Sequence, residues 1–167
     1  MSLLSEIEVL LASRDLSEAK FGIALQRVLD HFQCSVGTIH ILEQPSQMLV
    51  LLVSKGVPDS VLDRVRTVPV GKGMAGLAAE RRQPVQVCNL QTDQSGTVKP
   101  LARETKVEGA IAVPMLAGEC LRGVLGVAKA TSYQFDQAEI ALLLKIGSLM
   151  AQHFYPAVTN NHKDSEA

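Results

Sequence analysis

Between Phe32 and Ser35 the hydrophobic period of the chain changes, and this change constrains the fold more than any other feature. Upstream, Phe21, Ala24, Leu25, Val28, Leu29 and Phe32 recur at the spacing of one helix face. Ser17 can cap a helix over 17–32. Downstream, 35–42 alternates: Val36, Thr38 and His40 fall on one face, Gly37, Ile39 and Ile41 on the other. Gln44–Gln47 reads as a turn before a second strand over 48–54. Ala117–Gly118–Glu119 joins the apolar runs 110–116 and 121–130 as a second hairpin. Hairpins at both ends predict a mostly antiparallel sheet, because parallel neighbours need long crossovers.

The remaining elements fit around these hairpins. A helix is expected over 2–12, with Leu3, Ile7, Leu10 and Leu11 on one face and Ser2 as its cap. A short helix over 58–65 leads to a strand at 66–70, a helix within 71–82 and a strand at 84–87. Residues 89–104 are polar and irregular, and 136–154 forms a long terminal helix. Helices at the ends and strands between predict an α+β domain with helices on one side of the sheet. Residues 1–158 form one domain, with 1–13 its N-terminal helix and 159–167 a polar tail expected to be disordered.

Composition narrows function by exclusion. A chain of 167 residues buries roughly 70% of its unfolded surface and needs no disulfide or metal staple. Net charge is −1, aromatics are 4% and Trp is absent. No field or stacking platform invites nucleic acid, and no apolar run spans a membrane. Cys34, Cys88 and Cys120 are an odd, scattered set that suits a reducing compartment, and the acidic N-terminus is no signal peptide. A cytoplasmic protein is expected. The histidines show no metal-ligand spacing.

Gly71–Lys72–Gly73–Met74–Ala75–Gly76 matches the dinucleotide fingerprint, down to an acid, Asp93, about 20 residues on. The match is a decoy. Its helix is too short for a parallel crossover, and a hairpin follows it. The glycines serve a tight turn and close packing, or their loop presents the Gly73, Met74 and Ala75 amides to an anionic ligand group.

The ordered set of motifs resembles the GAF family. Val68–Glu80 followed by Gln83–Val87 resembles its central signature, and Ile111–Met115 with Leu121–Val127 resembles its later strands. The resemblance implies a six-stranded antiparallel sheet, terminal helices on one face and a ligand pocket under short helices and loops on the other. Members sense cyclic nucleotides, tetrapyrroles, metabolites or redox state, and many serve as dimerisation modules. The branch that reduces free methionine sulfoxide carries cysteines in the glycine loop and before the Pro-containing strand. Here Ala75 and the cysteine-free 101–105 stand there. The cyclic-nucleotide branch resembles this chain at Lys129, Phe135 and Glu139 but not at Ala128 or Ile140; a Lys129–Glu139 ion pair clamping strand to helix is the favoured reading. No Cys-His pair exists for a covalent bilin, and no other cofactor is implied.

A ligand is therefore expected at Thr38, His40, Gly73, Met74, Ala75, Thr92, Asp93 and Met115, with no catalytic or metal residue. Leu3, Leu4, Ile7, Val9, Leu10 and Leu11 of the first helix, with Ile140, Leu142, Leu143, Leu144, Ile146, Leu149, Met150 and Phe154 of the last, exceed what one sheet face covers, unless one thick helical layer within the chain buries them. They predict a homodimer through the terminal helices, with Leu4, Val9 and Leu11 meeting Leu142, Leu149 or Met150. A signalling protein is a possible partner in trans. The alternatives to a ligand sensor are an interaction module with a closed pocket and, less favoured, a redox enzyme.

Overall fold

The computed structural model describes residues 2–13, 18–93 and 106–153. In chain order the elements are α1 (Leu3–Leu11), α2 (Ala19–Phe32), β1 (Val36–Glu43), β2 (Met48–Lys55), α3 (Asp59–Val65), β3 (Thr67–Pro69), α4 (Gly73–Arg81), β4 (Val85–Val87), β5 (Ala110–Ala117), β6 (Cys120–Ala128) and α5 (Gln137–His153). The six strands form one antiparallel sheet in the order β3-β2-β1-β6-β5-β4. The proposed cap Ser17, the loop residues 94–105 and the tail 159–167 lie outside the described residues.

Strand alternation decides what each sheet face meets. Ile39, Ile111, Val113, Met115, Leu125 and Val127 point to the side packed by α2 and α5. Leu42, Leu49, Ala112 and Val124 point the other way, toward α4. The helical side is two layers deep, because α1 lies on α2 and α5 rather than on the sheet. Ser2 caps α1 as expected, accepting from the Ser5 amide at 3.2 Å. Leu3, Ile7 and Leu11, four residues apart, form its buried stripe. Each such side chain contributes about 1.5–3 kcal/mol on burial.

This second layer corrects part of the expected interface. Leu11 is 1% exposed and Met150 is 0% exposed within the one chain, so neither can meet a second copy. Val9 is 64% exposed, while Leu4, Leu142 and Leu149 are half-buried.

Two lysines terminate helices from a distance. Lys20, itself buried, donates to the Leu11 carbonyl at 3.2 Å and so caps α1 from the start of α2. Lys129 donates to the Phe32 carbonyl at the end of α2. Cations at helix C-termini meet the negative end of the macrodipole.

The expected Lys129–Glu139 ion pair is not formed. The Lys129 ammonium sits 4.3 Å from the Tyr133 ring centroid, and the Tyr133 hydroxyl donates to both Glu139 oxygens, at 2.7 and 2.9 Å. Glu139 also accepts from the Asp136 amide at 3.0 Å, and Asp136 from the Glu139 amide at 2.8 Å. That reciprocal pair is a capping box, which starts α5. The strand-to-helix clamp is real, but Tyr133 transmits it.

Candidate functional site

The glycine-rich loop places α4 over the sheet. Gly71 and Gly73 adopt φ of +93° and +66°, a region that L side chains avoid. A Cβ on Gly76 would lie 2.4 Å from the Pro69 carbonyl oxygen. The three glycines are thus explained by turn geometry and close packing. The first i→i−4 bond of α4 runs from the Gly76 amide to the Lys72 carbonyl at 3.1 Å, and Lys72 provides no side-chain cap. The amides of Gly73, Met74 and Ala75 are left at the open helix terminus.

Beneath that terminus lies a cleft of about 140 Å3. Thr38 and Val36 of β1, Ala110 and Ala112 of β5, and Gly126 and Ala128 of β6 make its floor. Met74 and Ala75 form one wall, and Leu90 and Val107 another. The floor is low because its residues are small. A Cβ on Gly126 would lie 3.1 Å from the Thr38 hydroxyl oxygen, so that hydroxyl stands over bare backbone. Thr38 is the one polar side chain among the described residues of the lining. A larger surface groove, about 770 Å3, runs between α2 and β2 past Gly22, Ile23 and Val53, with charged residues such as Glu18, Arg27 and Lys55 along it.

Of the expected ligand residues, the structure gathers Thr38, Met74 and Ala75 at the cleft, with Gly73 one residue outside. His40 shares the face of Thr38 but lies outside the lining. It is 3% exposed, and its Nε2 is 2.8 Å from the Val65 carbonyl. A carbonyl only accepts, so Nε2 carries the proton and His40 anchors the end of α3. Burial lowers its pKa, against a smaller opposing effect of that hydrogen bond. Thr92 is exposed and Asp93 half-buried, both turned back onto the Asn89 carbonyl (3.3 and 3.1 Å) beyond the cleft wall.

Met115 is a correction. It is 0% exposed and packs under α5, where a Cβ on Gly147 would sit 3.3 Å from its Cγ. Strand period places it with Ile111 and Val113, away from Ala110 and Ala112. The floor residues Ala110, Ala112, Gly126 and Ala128 were not anticipated. Their signal was available: small residues alternate with large ones in β5, where Ala110 and Ala112 interleave with Ile111, Val113 and Met115.

No set of three His, Cys, Asp or Glu that could hold a metal occurs among the described residues. Burial pushes the half-buried Cys34 thiol up to about 11, with nearby Lys129 opposing. Cys88 and Cys120 are exposed. No helix among the described residues is long and apolar enough to cross a membrane.

With this fold and cleft, the chain belongs to the GAF domain family, a family of sensing and signalling modules. The family model matches residues 18–154, which leaves α1 outside it. Among solved structures, it is similar to the GAF domain of a phosphoenolpyruvate-protein phosphotransferase from Coxiella burnetii. That likeness has TM-score 0.80 and 19% identity over 96% of this chain and 95% of that one. The corresponding Acinetobacter GAF domain gives 0.75 and 22%, over 91% and 93%. The free methionine-R-sulfoxide reductase of Neisseria meningitidis, solved with its substrate, gives 0.75 and 20%, over 91% and 86%. Likeness at these identities concerns the fold. No curated protein matches the chain by sequence.

Proposed function

We propose that this chain is a non-catalytic GAF module that responds to a small molecule bound in the cleft under the N-terminus of α4. The cleft itself carries the reading. It is concave and apolar, with one hydroxyl on its floor and open helix amides at its rim. Few polar groups in an apolar concavity are the usual form of a ligand site. The response passes to a signalling protein in trans, in a cytoplasmic setting that suits three free thiols.

The reductase reading lacks its chemistry. Ala75 stands in the glycine loop, where that branch has a cysteine. The Cys34 thiol, pushed to about 11, stays protonated and unreactive near neutral pH. We predict no turnover of free methionine sulfoxide. Steady turnover with a thiol reductant, abolished by Cys88→Ser, would overturn this.

A second reading is a dimeric interaction module whose cleft stays empty. The cleft volume, about 140 Å3, lies under the roughly 300–1,000 Å3 of most drug-sized sites, and apolar side chains of α1 and α5 remain partly exposed. Native mass spectrometry of the purified chain separates the two. A co-purified small molecule, lost in Ala112→Leu, supports sensing. A ligand-free dimer supports the second reading, and a ligand-free monomer sinks that second reading.

A further inference from the structure

We infer that the cleft takes a small neutral molecule no larger than one six-membered ring bearing a single hydroxyl or carbonyl group. The inference rests on the sensing reading above and names its ligand class. Size comes first. An apolar protein cavity of about 150 Å3 holds a benzene molecule, and this cleft measures about 140 Å3. A cyclic nucleotide or a tetrapyrrole exceeds that space.

Charge comes next. Among the described residues, no Lys, Arg or His lines the cleft. An ion placed there would lose hydration with no side-chain counter-charge to replace it. The open amides of α4 supply only the partial positive end of a short helix. A neutral ligand avoids that cost.

Shape and polarity fix the orientation. Gly126 and Ala112 leave the sheet backbone bare enough for a flat ring, with Met74 on one side and Leu90 and Val107 on the other. The Thr38 hydroxyl stands over Gly126, free to donate to a carbonyl or hydroxyl oxygen, or to accept from a hydroxyl. A ring on the floor with its oxygen at Thr38 satisfies both surfaces. The same cleft gives an aliphatic ring or short branched alcohol an equivalent fit, since no aromatic side chain is among the described lining residues.

The test is a titration of the full chain followed by two-dimensional amide NMR, using phenol, toluene, benzoate and cyclic GMP as probes. Phenol and toluene are expected to shift the Ala112 and Gly126 amides saturably at millimolar concentrations, with phenol the tighter. Thr38→Val keeps the side-chain shape and removes the hydroxyl. It should erase the phenol advantage, about five-fold for one neutral hydrogen bond, and leave toluene unchanged. Ala112→Leu should abolish both. Since a larger side chain there presses on α4, Thr38→Val stands as an independent variant. Tighter binding of benzoate or cyclic GMP at these amides overturns the ligand class and leaves the sensing reading intact. No shift at these amides with any probe overturns the ligand class. If the purified protein also carries no ligand, the sensing reading falls with it.

Discussion

His40 is the residue whose environment makes the sharpest solution prediction. In an unfolded chain its imidazole titrates near 6.5, and burial in the fold holds it lower. Above 6.5 both states are neutral and His40 adds no pH dependence. As pH falls below 6.5 the unfolded chain takes up the proton first, so stability must decline. His153 is also lowered, by burial and then by the Lys20 charge, and acts in the same direction. Urea midpoints at about pH 7.5 and about pH 5.5 should therefore differ, and the difference should shrink in His40→Gln. An unchanged pH loss in that variant would show that His40 is not its source. Gly76→Ala makes a second residue-scale test. Its Cβ would strike the Pro69 carbonyl, backbone that cannot step aside, and a loss of about 1–3 kcal/mol is expected in the same urea experiment. At this scale the sequence was partly legible. Alternation put Thr38 and His40 on one face, which the strand register confirms. Met115 was misplaced because its motif outweighed its own alternation with Ala112. The role of His40 was invisible, since its partner Val65 belongs to a helix 25 residues away.

At the scale of elements, period and turn chemistry found each helix and strand of the described residues, with ends shifted by a residue or two. Period and turns are local, so the chain displays them directly. What stayed hidden depends on which elements meet. The two edge strands, β3 and β4, are three residues each, so part of β2 and of β5 borders no strand among the described residues. Both flanks are blunted against pairing with another chain. β2 carries a bulge at Leu52, between residues registered with Ile39 and His40. β5 places Pro114 just past the last residue paired with β4, where a missing N–H costs the sheet nothing. The clamp between β6 and α5 was legible as a pair of charges and wrong as a mechanism. Tyr133 takes the ammonium on its ring face and gives its hydroxyl to Glu139. Lys129→Met should therefore cost about 1–2 kcal/mol, from the lost helix cap and cation–π contact. A charge swap, Lys129→Glu with Glu139→Lys, should be worse than either single change. It would break the α5 capping box and the α2 cap together. Recovery of stability in the swap would restore the direct ion pair.

For the whole molecule, the open matter is how much of the helical layer is left for a second copy. The apolar positions around the two terminal helices suggested a large surplus, because sequence pattern could not show that α1 packs on α2 and α5 and hides its own stripe. The structure divides that surplus. Leu11 and Met150 belong to the core, so Leu11→Glu should unfold the chain, at about 3 kcal/mol or more, rather than split a dimer. Val9, Leu4, Leu142 and Leu149 keep exposed area, and Leu4 and Leu142 line one surface depression. Covering the exposed remainder of such side chains contributes roughly 1 kcal/mol each before association costs. A twofold pairing of α1 and α5 would use each side chain twice, as an isologous interface does. The expected result is a concentration-dependent dimer at tens of micromolar, weak for a permanent assembly. Val9→Glu with Leu142→Glu should turn it into a folded monomer with unchanged far-ultraviolet circular dichroism. Sedimentation velocity of the unaltered chain and of this variant reads the outcome. A monomer in the unaltered chain would mean that α1 has already completed the helical layer, and that the exposed Val9 covers nothing.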